Sequence, residues 1–134
     1  MNYKRIAAVL AFLVVGSVVA GTFQATEIPG MSEAQRTALG IAFSTPVGIA
    51  VFALVGETFD VDRYLEERSL AAKFGDLVFV ELAAIIVALA TATALEGFSP
   101  SIAGWGGAGV GYFGAFFTFL WRANDYVVRP DDEE

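Results

Sequence analysis

Between residues 99 and 121 the chain reads SPSIAGWGGAGVGYFGAFFTFLW, a run with no charge and six glycines. In water so much glycine argues against a helix, since each costs about 1 kcal/mol relative to alanine. In hydrocarbon the balance changes. A backbone there must satisfy its own hydrogen bonds, and a helix is the one way a single segment does so. Placed at 100° per residue, Ala103, Gly104, Gly107, Gly111, Gly114 and Ala115 share one side, and Trp105, Tyr112, Phe116 and Phe119 take the opposite one. Ala103, Gly107, Gly111 and Ala115 recur every four residues, the spacing that lets a second helix approach closely. Such a face serves either self-association or packing within one bundle. Small-xxx-small matches are common in membrane helices, which favours packing within the bundle.

Three further apolar runs precede this one, over residues 6–23, 38–55 and 77–95. Together they predict an all-α fold, a polytopic membrane protein built as a four-helix transmembrane bundle. One domain covers the 134 residues. Its spans lie at about 6–23, 38–55, 77–95 and 101–121, with a cytoplasmic loop at 56–76 and an acidic tail at 122–134. The first run is apolar on every face, as a lipid-embedded helix is. With Lys4 and Arg5 ahead of it, it also has the form of a signal peptide, with Val18-Val19-Ala20 as a cleavage site. Its length exceeds a usual signal core and points to retention.

Local signals place the breaks. Ile28-Pro29-Gly30 is a turn, and Ser32 with Gln35 forms a capping box that starts a helix near Glu33. Pro46 lies midway along the second run and predicts a kink. It removes the donor for a carbonyl near Ala42, which Ser44, Thr45 or a neighbouring helix can re-satisfy. In the loop, Val61, Tyr64, Leu65 and Ala72 recur at helical spacing, with Asp62, Arg63, Glu66 and Glu67 largely away from them. This predicts a short amphipathic helix at the membrane surface, with Arg63 and Glu67 as an i, i+4 pair and Gly75 as the break before the third span. The short turn at Glu96 to Phe98 makes spans three and four an antiparallel hairpin. The tail is expected to be mobile.

Seven of the eight basic residues (Lys4, Arg5, Arg63, Arg68, Lys73, Arg122 and Arg129) lie on one side of this arrangement, against Arg36 alone on the other. The positive-inside rule then puts both termini on the cytoplasmic or interior side. Trp105 and Trp121 fall at the two expected interfaces.

The chain has no cysteine and no histidine, which removes thiolate and imidazole chemistry together. No phosphate loop, dinucleotide fingerprint, nucleophile elbow or zinc signature occurs, and the loop carboxylates lack the EF-hand spacing. The reading is a non-enzyme without cofactor or bound metal. A net charge of −7 disfavours a nucleic-acid partner. With 2 Lys and 6 Arg, the acidic balance hints at a high-salt setting.

Glu81 is the one charge inside a proposed span. An intramembrane ionisable residue is by default a functional hypothesis: here a proton or cation site facing Thr45 or Tyr112. The alternative is a carboxylate that snorkels to the nearby interface or pairs with Lys73. Two function classes therefore compete. One is a structural or scaffolding membrane protein whose partners are the bilayer, a second copy or another membrane protein, and a soluble partner at the acidic loop. The other is a small oligomeric channel or transporter using Glu81, Thr45, Tyr112 and Pro46. The absence of catalytic residue types beside a strong packing signal favours the first.

The four runs starting at Ile6, Ala38, Leu77 and Ser101, the acidic loop 57–76 and the tail Asp131 to Glu134 resemble one family, the internal membrane protein of haloarchaeal pleomorphic viruses. The likeness covers the whole chain in architecture and involves no short motif. It implies a virion envelope protein exposed on the inner face, with fusion performed by a separate spike. Dual-topology fluoride channels and small multidrug exporters are similar in length. This chain lacks an intramembrane Glu in its first span, and its bias of basic residues opposes dual topology.

Overall fold

The computed structural model describes residues 3–129, and these are all-helical apart from turns and one isolated bridge. The elements are α1 (Tyr3–Ala25), α2 (Glu33–Ala42), α3 (Thr45–Val55), α4 (Val61–Glu67), α5 (Leu70–Ala94) and α6 (Pro100–Arg122). A single 3-10 turn follows at Asn124–Tyr126. α1 and α5 are each long and apolar enough to cross a membrane, and α2 with α3 reaches that standard as a pair bent by 42°. α6 equals α1 at 23 residues but does not reach that standard, so the described helices give two such spans, or three with the bent pair counted as one, where the sequence led to four.

The helix ends follow local chemistry. In the turn before α2, Gly30 adopts a left-handed φ of 80° while the Met31 N–H donates to the Ile28 carbonyl. Ser32 and Gln35 then close a complete capping box at the start of α2. Ser99 caps α6 ahead of Pro100, which sits where a missing N–H costs nothing. The second run is not one kinked helix but two. Pro46 opens α3, and Thr45 donates its hydroxyl to the Ala42 carbonyl, the acceptor that proline leaves vacant.

The core is the α5–α6 hairpin with α2 laid across it. Val80, Ala84, Ala88 and Ala92 form a covered stripe on α5, none more than 2% exposed. Gly107 and Gly111 of α6 sit directly on that stripe. A Cβ at Gly107 would come within 2.6 Å of the Ala88 carbonyl oxygen, and one at Gly111 within 2.8 Å of the Ala88 Cβ. Ala103 and Ala115 are fully buried on the same face, and Gly104 meets Thr37 of α2. The four-residue repeat of α6 is therefore consumed inside the chain and does not remain as a face for a second copy.

α1 lies outside this core and buries no residue completely. It leans on α2 through Phe23 stacked on Phe43 at 5.0 Å and through the close approach of Gly40 to Ala20 and Phe23, and on α3 through Phe12 beside Gly48. The Arg36 guanidinium donates to the Gln24 and Thr26 carbonyls, satisfying the last turn of α1.

Three sequence expectations change at the other end of the bundle. The third span does not begin at Leu77 after a break at Gly75. Ser69 caps α5, and the helix runs unbroken through Gly75. The loop helix stops at Glu67, well short of Ala72. The tail is ordered through Arg129. Phe59 bridges Val127, Asp60 N–H donates to the Tyr126 carbonyl, and Val128 N–H donates to the Thr58 carbonyl. The acidic run Asp131 to Glu134 lies outside the described residues.

Candidate functional site

Two polar places stand out within the bundle, and they differ in how their charge is met. The first is Asp76, on the second turn of α5 and 2% exposed. An isolated buried carboxylate is costly, so it needs donors at every lone pair. Four are supplied from three segments. Arg68 Nε donates to Oδ2 at 2.9 Å and its Nη2 to Oδ1 at 2.8 Å, a two-pronged grip from the loop between α4 and α5. Arg122 Nε, from the last residue of α6, donates to Oδ1 at 2.8 Å. Tyr64 of α4 donates its hydroxyl to Oδ2 at 2.9 Å. Arg68 also donates to the Arg122 carbonyl.

Glycine at position 75 makes room for this grip, because a Cβ there would stand 3.2 Å from Arg122 Nη2. The Arg122 guanidinium also lies 4.3 Å from the centre of the Phe79 ring. Burial and the hydrogen bond to Asp76 push the Tyr64 hydroxyl from 10.0 to about 12, so it stays a donor throughout the physiological range. Around the ion cluster, Phe59, Tyr64, Phe119 and Tyr126 pack ring against ring, with centroids 5.0–6.4 Å apart. Loop, tail and the ends of α5 and α6 thus form one closed cap. Arg63 and Glu67 pair at 3.0 Å on its surface, where Asp62 and Glu66 face solvent.

No protein-family model, no curated protein and no solved structure matches the chain.

The second place lies deeper, where α2 gives way to α3. Ser44 and Tyr112 share a hydrogen bond of 2.8 Å, and Ser44 also donates to the Ile41 carbonyl. The sequence offered Thr45 or Tyr112 as the hydroxyl facing Glu81, and left open which group stands beside Tyr112. The structure puts Ser44 there, while Thr45 is committed to Ala42. Phe12 of α1 meets the Tyr112 ring edge-on, and Gly48 gives that ring space to lie against α3. A crevice of about 210 Å³ between α1, α2 and α6 reaches this hydroxyl pair, with Ser17 and Trp105 on its walls.

Glu81 sits on α5 within electrostatic reach of Tyr112. Both of its carboxylate oxygens are buried and neither has a hydrogen-bond partner. Of the two alternatives, snorkelling or pairing with Lys73, the pairing does not form, since the Lys73 ammonium donates to the Leu65 carbonyl.

Sequence reasoning singled out Glu81, Thr45, Tyr112 and Pro46, and it missed Asp76 and its arginines. One signal was present. In an antiparallel hairpin, a charge just before one apolar run and a charge just after the next arrive at the same end, and Asp76 and Arg122 hold those positions in the sequence. The alanine stripe of α5 was equally available, as a four-residue repeat matching that of α6.

Proposed function

We propose that this chain is a structural membrane protein, a four-span bundle whose interior end is closed into a rigid acidic platform. In this reading α1, the bent pair α2–α3, α5 and α6 each cross the bilayer. The basic residues support one orientation. Arg5 approaches Glu57 at the capped end, where Arg63, Arg68 and Arg122 also lie, while Arg36 holds the opposite end. Both termini then face the interior.

The observation that carries the reading is the Asp76 cluster. A channel or carrier gains from segments that move, yet here the loop and the tail are tied to each other and to both long helices through one buried carboxylate. Such a cap serves to present a fixed surface, and the exposed Asp62 and Glu66 make that surface acidic. An envelope protein lining the inner face of a haloarchaeal virus or cell is the role this supports, with an interior soluble component or a second membrane protein meeting the platform.

The chain has no cysteine, so introduced ones report cleanly. With Glu66→Cys, an impermeant maleimide should label only after the membrane is opened; with Gly97→Cys it should label from outside. Vesicles carrying the protein should stay as tight to potassium and chloride as empty ones. Labelling of position 66 from outside, or a steady chloride or potassium leak, would overturn the proposal.

A further inference from the structure

Asp76 and Glu81 lie five residues apart on one helix, and the protein treats them in opposite ways. Asp76 receives four donors. Glu81 receives none, although both its oxygens are covered. A carboxylate left so in a low-dielectric interior is costly by several kcal/mol, whereas a neutral carboxylic acid is far cheaper to bury.

The surrounding elements bring no compensating charge. α3 carries no titratable residue, and α6 carries Tyr112 alone before its terminal Arg122. The charges of α2, Glu33 and Arg36, lie in its first turn at the far end. In α1 the basic residues Lys4 and Arg5 lie in the first turn, with Arg5 reaching Glu57. On α5 itself, Lys73 is bonded to Leu65 and Asp76 is held by two arginines. Among the described residues, no three acidic, histidine or cysteine side chains converge to hold a metal ion. On another helix, Tyr112 lies within electrostatic reach of Glu81, and its hydroxyl, paired with Ser44, opens on the crevice between α1, α2 and α6.

We propose that Glu81 is an intramembrane proton-binding site, a carboxyl group that carries its proton inside the bundle beside the Tyr112–Ser44 pair. This goes beyond the structural role and is independent of it. A platform can fail while the site stands, and the reverse.

A hydrophobic carbodiimide tests the site directly. It reacts with a protonated carboxyl in an apolar setting. The acid proton moves to a reagent nitrogen, the carboxyl oxygen bonds the central carbon, and rearrangement gives a stable N-acylurea with nothing lost. The wild-type protein in vesicles is treated across a pH series, and the adduct is located by peptide mass spectrometry. The expected result is one major adduct, on Glu81, that fades as pH rises and is absent in Glu81→Gln. A water-soluble carbodiimide should leave Glu81 unmodified, and replacing choline chloride by sodium chloride at fixed pH should not protect it. Absence of the adduct from folded wild-type protein at every pH, or labelling that ignores pH, overturns the proposal. Protection by sodium also overturns it, in favour of a metal-cation site. Because the main readout uses the wild-type chain, poor folding of Glu81→Gln would not obscure the answer.

Discussion

Adding one methyl group to α6 should either damage the bundle or leave it untouched, depending only on which glycine receives it. At Gly107 a Cβ would lie 2.6 Å from the Ala88 carbonyl oxygen and 2.9 Å from the Ala92 Cβ. At Gly111 the nearest atoms are the Ala88 Cβ at 2.8 Å and the Ala84 carbonyl oxygen at 2.9 Å. Ordinary contact begins near 3.4 Å, so α5 and α6 would have to separate by more than half an ångström at either point. None of these atoms is the end of a flexible side chain, so nothing local can yield. A radial gap of that size forfeits a quarter to a half of each dispersion well along the seam, and overpacking of this kind costs about 1–3 kcal/mol.

Gly109 is the internal control, because a Cβ there meets nothing within 4 Å. Gly107→Ala and Gly111→Ala should each lower stability by about 1–3 kcal/mol, while Gly109→Ala leaves it unchanged or slightly higher. Unfolding in mixed micelles by a denaturing detergent, followed by circular dichroism, reads the difference. Equal effects at all three positions would refute the seam as the place where these helices meet.

Three other outcomes follow from the polar contacts. Asp76→Asn should cost about 3 kcal/mol by leaving two arginines without their anion, and limited proteolysis should then cut between residues 58 and 69, where the wild type resists. Thr45→Val should cost about 1–3 kcal/mol by orphaning the Ala42 carbonyl, and the loss should largely vanish in a Pro46→Ala background, where residue 46 regains its N–H; a double-mutant cycle measures the coupling. Tyr64 holds its proton more tightly folded than unfolded, so its contribution is complete below pH 10 and drains away as pH rises from 10.0 to about 12. Thermal unfolding should show that decline, and Tyr64→Phe should flatten it.

Much of the fold was legible because its signals are short-range. The Ser32–Gln35 box, the Ser99-Pro100 start and the hairpin turn before it are complete within a few residues, and each appears where its chemistry puts it. Gly75 misled for a physical reason. A glycine reads as a helix break when its neighbours are unknown, but here it clears space for Arg122, which is 47 positions away in sequence. Dispersal along the sequence also hid the Asp76 cluster, whose donors come from α4, the loop after it and the end of α6. Glu81 was legible as a lone charge in an apolar run. That no partner reaches it depends on where Lys73 turns, which spacing alone does not settle.

The grip on Asp76 also sets an order of events during synthesis. Tyr64 and Arg68 leave the ribosome before Asp76, so two of its three partners are at hand when α5 forms. Arg122 emerges 46 residues later, after α6 has been made, and the Phe59–Val127 bridge later still. Until then the carboxylate is only partly neutralised and the loop has no edge to pair with. The cap is thus a latch that the chain's own last segment closes, and a nascent protein halted before Arg122 would display an open, protease-sensitive loop that marks it as unfinished.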